Sequence, residues 1–152
     1  MLQKLFFNNY LLMLPIISWV AAQICKTILD FVVNGSFSRE RLVGAGGMPS
    51  SHSALVCSFL VGTARKLGPQ SPLFALAFVL AAVVMYDAMG VRRETGRQAK
   101  VINKILDDLR GDGPQQEGSQ TQKLKEMVGH SPLQVLSGAL LGILIAIIIP
   151  VF

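Results

Sequence analysis

The chain contains two histidines, and both sit among residues suited to handling an anion. His52 lies in Gly46-Gly47-Met48-Pro49-Ser50-Ser51-His52-Ser53. A glycine such as Gly47 lets backbone approach a ligand closely, and successive N–H groups can form a nest for negative charge. Ser50 or Ser51 can cap the helix that follows, whose N-terminus carries positive partial charge. His52 then falls in the first helical turn, where an imidazole can donate or accept a proton near neutral pH. His130 lies in Gly129-His130-Ser131-Pro132, with Pro132 suited to the first turn of a second helix. Lys26, Arg92 and Arg93 add positive charge beside apolar segments. Together these types suit phosphate. One histidine can attack phosphorus and form a phosphohistidine, while the other protonates the leaving oxygen. The cations and helix N-termini would hold the equatorial oxygens of the transition state. Asp87 can orient a base, but one carboxylate does not make a metal site. This reading calls for no metal and no cofactor.

These residues matter only if the fold brings them together. The chain has 152 residues, 51% of them hydrophobic and 15% charged, with a mean hydropathy of +0.50. One domain is expected at this length. The composition is that of an integral membrane protein with an all-α bundle. A net charge of +5 raises nucleic acid as a partner. The aromatics, however, lie in apolar runs away from the basic residues, which argues against it. Cys25 and Cys57 sit in apolar segments and read as small buried hydrophobes, not as a disulfide. The N-terminus lacks the features of a cleaved secretory signal, and residues 1–10 read as an interfacial lead-in.

Four spans are predicted. Leu11–Val33 is the first; Gln23, Lys26 and Asp30 share one of its faces at helical spacing. A Lys26–Asp30 pair near the interface, with Lys26 snorkelling, is the plain alternative to a functional lysine. Asn34–Met48 is a polar connection. Pro49–Ala64 forms a second helix, short enough that its start belongs in a protein-lined pocket. Pro72–Met89 is the third span. Residues 94–110 predict an amphipathic helix whose apolar stripe is Ala99, Ile102, Ile105, Leu106 and Leu109. A polar hinge over Gly111–Gln122 and a helical turn over Lys123–Val128 follow. Leu133–Val151 is the fourth span. In it Gly138 and Gly142 form a G-x-x-x-G that permits close helix contact, within one chain or in a homo-oligomer.

Alternating spans fix a geometry. The first ends near Lys26–Val33, the second begins at Ser50–His52, the third ends at Asp87–Arg93, and the fourth begins at His130. An end, a start, an end and a start share one membrane face, so Lys26, His52, Asp87, Arg92, Arg93 and His130 can meet. That face carries eleven of the fourteen Lys and Arg residues, leaving Lys4, Arg65 and Lys66 opposite. The positive-inside rule places the site face in the cytoplasm, in a bacterial inner membrane.

At this point the residues resemble a known family. Pro49-Ser50-Ser51-His52 resembles the P-S-G-H motif of the type 2 phosphatidic acid phosphatase and vanadium haloperoxidase superfamily. The run from Gly129-His130-Ser131-Pro132 to Gly142 is similar to its last motif, in which a nucleophilic histidine opens the final helix. Gly46 to Ser53 together with Asp87-Ala88-Met89-Gly90-Val91-Arg92-Arg93 resembles its small, divergent bacterial and plastid branch. The resemblance implies a metal-independent phosphatase acting on a lipid phosphomonoester, such as phosphatidate, phosphatidylglycerophosphate or a prenyl phosphate. It implies His130 as nucleophile and His52 as general acid. Lys26, Ser50, Ser51 and one of Arg92 and Arg93 would bind phosphate. Gln134 stands where the superfamily has an aspartate that orients the nucleophile. An amide can still accept the Nδ1–H bond, but it cannot stabilise an imidazolium by charge. The arginines precede His130 by far more than is usual, so 94–128 reads as inserted. A non-catalytic binder of anionic headgroups and a membrane assembly subunit are the other readings.

Overall fold

The computed structural model describes residues 9–35, 47–110, 124 and 130–151, with the side chains of Asn34, Arg92, Leu109 and Arg110 outside that description. Among these residues the chain forms five α-helices and no strand. They are α1 (Tyr10–Asn34), α2 (Ser51–Leu67), α3 (Pro72–Met89), α4 (Val91–Arg110) and α5 (Pro132–Ile148). The Lys123–Val128 turn and the Gly111–Gln122 hinge lie outside the described residues, save Leu124, which is not helical.

Helix α2 is the hub and packs against α5, α1 and α3. Its composition explains this. Ser51, Ser53, Ala54, Ser58, Gly62 and Thr63 are small and buried, so neighbouring helices approach closely all round. The closest approach is to α5. A Cβ on Gly138 would strike the carbonyl oxygen of Ser50, and one on Gly142 would strike that of Ala54. The G-x-x-x-G face is therefore spent inside the chain. Gly138 meets Ser50 at the starts of α2 and α5. Near their ends the Arg65 guanidinium donates to the backbone carbonyls of Ala146 and Ile149. The two helices thus run parallel.

Helix α1 runs the other way. Its buried positions Tyr10, Leu14, Ser18, Ala22 and Lys26 recur every fourth residue, which makes one face of a helix. Its beginning packs on the far ends of α2 and α5, where Tyr10, Leu14 and Ala146 cluster with Val61, Ile145 and Ile149. Pro15 does not interrupt it. Helix α3 is also antiparallel to α2. Val56, Cys57 and Ala81 form a second cluster with Met85, Ala139 and Ile143, and the Ala88 carbonyl accepts the His130 N–H at 3.0 Å. The alternation predicted from sequence is the one observed.

Against the four crossings the sequence predicts, two stretches among the described residues are long and apolar enough to cross a membrane, Tyr10–Val33 and Pro72–Asp108. The second passes through Gly90 and joins α3 to α4. Pro132–Ile148 is apolar but shorter. Helix α2, at 17 residues, is about 26 Å long, and its partners line it on several sides.

The amphipathic helix needs a correction. It begins at Val91, and its buried edge is Gly96, Ala99 and Asn103; Ile102 and Ile105 are exposed. A two-point bond holds Asn103 on that edge. The Asn103 side-chain amide donates to the Leu124 carbonyl at 2.8 Å, and its Oδ1 accepts the Leu124 N–H at 2.9 Å. Both backbone groups of Leu124 thereby gain partners on a buried side chain. Gly96 and Ala99, on the same edge, are small enough for a second segment to come close.

Candidate functional site

The site lies where α2 and α5 begin. Gly47 has φ +87°, a left-handed conformation that glycine adopts without strain. It leads into a cis Met48–Pro49 bond and then Ser50, the N-cap of α2. The Ser50 hydroxyl oxygen accepts from the Ser53 N–H at 3.4 Å and from the Ser53 hydroxyl at 3.1 Å. The Ser50 N–H donates to the Gln134 carbonyl at 2.9 Å. Ser50 is completely buried. Its cap and its N–H thus serve the helix–helix junction, a heavier structural duty than sequence alone assigns it. Ser53, which the sequence reading leaves unassigned, completes this hydroxyl cluster. Ser51 is buried at the first position of α2, and His52 follows it, half-buried.

Helix α5 opens with a reciprocal capping box. The Ser131 hydroxyl accepts the Gln134 N–H at 3.3 Å, and Gln134 Oε1 accepts the Ser131 N–H at 3.1 Å. Such boxes satisfy two orphan donors at once. Gln134 Oε1 also lies 3.2 Å from His130 Nδ1. His130 is held at its main chain by Ala88 and is only 4% exposed. Its ring faces that of His52, with centroids 6.4 Å apart and planes inclined by 56°.

Lys26 is buried, with 2% of its surface exposed. Leu14 of α1 is the side chain nearest a Cβ on Gly62 of α2. Lys26 lies as far beyond Leu14 as Ser50 lies before Gly62, so the antiparallel register sets Lys26 level with Ser50. Asp87 is half-buried in the last turn of α3, next to the Ala88 carbonyl that holds His130. Arg93 is exposed in the first turn of α4. Arg92 shares that turn, and only its backbone is described. Among the described residues no group of three or more His, Cys, Asp or Glu side chains could hold a metal ion. Cys25 and Cys57 are both free thiols.

The arrangement can flank a phosphoryl group. In-line attack needs a nitrogen about 3 to 3.5 Å from phosphorus and an acid within about 2.6–3.2 Å of the leaving oxygen. An in-line N···P–O···N array spans about 7 to 8 Å between nitrogens, more than the gap directly between rings with centroids 6.4 Å apart, so a phosphoryl group would lie beside the pair and be reached by both imidazoles. The buried Lys26 ammonium and the start of α2 supply positive potential at the same end.

A scaffold of this kind, with paired histidines at two helix starts and a glycine-seated final helix, defines a class. The chain belongs to the divergent PAP2 family, whose pattern it matches over residues 7–145. It is similar to the uncharacterized membrane protein YuiD of Bacillus subtilis (strain 168), at 38% identity over 152 residues, covering 95% of this chain and 96% of the relative. No solved structure matches it.

Proposed function

We propose that the protein is an integral membrane phosphatase that hydrolyses a lipid phosphomonoester through a phosphohistidine. The observation that carries this reading is the facing His52–His130 pair, 6.4 Å apart, at the end of the bundle where Lys26 is buried. The Nε2 lone pair of His130 forms the N–P bond as the ester P–O bond breaks. The departing lipid alkoxide takes a proton from His52. Water then attacks the phosphohistidine, passing a proton back to His52 and releasing phosphate and His130. Lys26, the α2 N-terminus with Ser51, and Arg92 or Arg93 stabilise the charge on the equatorial oxygens. Four crossings by α1, α2, α3 and α5 set this site at the cytoplasmic leaflet, where the positive-inside bias puts it. Membership of the family and similarity to a Bacillus membrane protein support this reading.

One observation favours a second reading, a binder that holds an anionic headgroup without turnover. His130 pairs with the neutral Gln134 amide, which stabilises an imidazolium less than a carboxylate does.

The test is phosphate release by purified protein from phosphatidate, phosphatidylglycerophosphate and prenyl phosphate, each with chelator present. Turnover of at least one lipid is expected. His130→Ala is expected to lower it by about a thousandfold or more while the protein stays folded. Inactivity across the panel, with headgroup binding retained, would establish the binder.

A further inference from the structure

We propose that Gln23 and the groove around it bind the glycerol backbone and acyl chain of the lipid, and so select a glycerol-linked phosphate over a prenyl phosphate. This rests on the phosphatase reading in one respect only, that Lys26 marks the level of the phosphate.

The starting point is an amide in an apolar setting. Helix α1 carries a groove of about 300 Å³ lined by Trp19, Val20, Gln23, Ile24, Thr27 and Ile28. Trp19, Val20, Ile24 and Ile28 are exposed. In their midst Gln23 Oε1 is buried and has no hydrogen-bond partner among the described residues. Leaving a buried amide oxygen unpaired is costly, and the core of a bilayer holds no water to serve it. Thr27 does not serve it either, because its hydroxyl donates to the Gln23 main-chain carbonyl at 2.9 Å. A partner from outside the chain is called for.

The position of the amide says what that partner is. Gln23 lies three residues before Lys26 on the same face of α1, about 4.5 Å nearer the middle of the bilayer. The antiparallel register that sets Lys26 level with Ser50 sets Gln23 level with Ser53, one residue past His52. The amide therefore stands just below the ester oxygen that His52 serves, where the lipid portion of the substrate begins. From there the groove follows α1 to Trp19, about 6 Å deeper. An amide both donates and accepts. Set above an apolar channel, it matches the oxygens of a glycerol backbone followed by an acyl chain. A prenyl phosphate carries only hydrocarbon past its phosphate and would leave the amide unpaired. Sites built to bond a polar group reject analogues that lack one. A second copy of the chain is the other partner such an amide could find in a membrane.

Trp19 is the only tryptophan in the chain and lines the groove, so its fluorescence reports what lies there. The full chain carrying His130→Ala, which keeps the lipid intact, is placed in phosphatidylcholine nanodiscs with a small fraction of phosphatidate brominated on its acyl chain. Bromine quenches tryptophan on contact. Brominated phosphatidate is expected to quench at least about threefold more per mole than brominated phosphatidylcholine. Unlabelled phosphatidate should relieve the quenching, and prenyl phosphate should relieve it about threefold less well. Gln23→Leu and the longer Gln23→Met should erase the difference between the two competitors. Quenching no greater than that by phosphatidylcholine, equal relief by prenyl phosphate, or a preference that survives both substitutions would overturn the proposal. So would a dimer that dissolves in Gln23→Leu, which would give the amide to a second copy. The readout needs no turnover. Selective quenching in a chain whose wild type is inactive would refute the phosphatase reading and leave this inference standing, and turnover without selective quenching would do the reverse.

Discussion

At one end of the bundle α2 begins with Ser50, Ser51, His52 and Ser53; at the other it finishes against Tyr10, Leu14 and Ala146. The first end buries hydroxyls, an imidazole and Lys26, with Ser53 donating to Ser50 and His130 set against the Gln134 amide. The second buries apolar side chains and closes with two cations. Arg65 ties α2 to the last carbonyls of α5, and the Lys66 ammonium sits 5.6 Å from the Tyr10 ring centre. Buried polar groups stabilise little once desolvation is subtracted, whereas apolar burial adds directly. The contrast assigns stability to the far end and chemistry to the near one. Between the two, the glycine seats on α2 hold the helices in register.

Four substitutions test that division, in descending size of effect. His52→Ala should slow hydrolysis of an alkyl phosphate by about 10²–10⁴-fold. It should matter much less for p-nitrophenyl phosphate, whose leaving group needs no proton. Equal losses on both substrates would remove His52 as the acid. Gly142→Val drives a side chain into the Ala54 carbonyl, and should cost about 3 kcal/mol in denaturant unfolding from micelles. An unchanged midpoint would show that the glycine seats do not hold the register. Arg65→Ala frees two carbonyls at the end of α5 and should cost about 1 to 2 kcal/mol. Turnover per folded molecule should not change; a fall in turnover would mean that the ends are not independent. Arg97→Ala removes an exposed pair with Glu94, 3.3 Å apart, and should alter stability by less than about 0.5 kcal/mol.

The convergence of the near end was legible because it follows from counting helix ends. Lys26, His52, Asp87 and His130 lie where alternation requires. The G-x-x-x-G was equally visible, but its partner was not. Nothing in the spacing of Gly138 and Gly142 names Ser50 and Ala54, since a backbone contact leaves no mark on the facing side chain. The double duty of Ser50 was hidden for the same reason, because its N–H bonds a carbonyl from another helix. Arg65 entered the sequence reading only as a charge in a topology count. Its value comes from two carbonyls left open where α5 ends. On α4 the buried edge keeps Ala99 and the half-buried Leu106 of the predicted stripe but runs through Gly96 and Asn103, leaving Ile102 and Ile105 exposed. The overlooked signal was Asn103 set four residues from Ala99 and seven from Gly96, a polar side chain with room for close backbone beside it.

The single bond between the Ala88 carbonyl and the His130 N–H has a further consequence. The chain leaves the four packed helices after Ala88 and re-enters them at His130, so the two ends of the intervening stretch are held together. Closing a loop costs little more as it lengthens, about 0.6 kcal/mol for each doubling. The intervening stretch can therefore be lengthened or trimmed at small cost without displacing the histidine. Excising it behind Arg93 and rejoining the chain with a short glycine linker would leave a minimal four-helix version, in which the bundle is asked to stand alone.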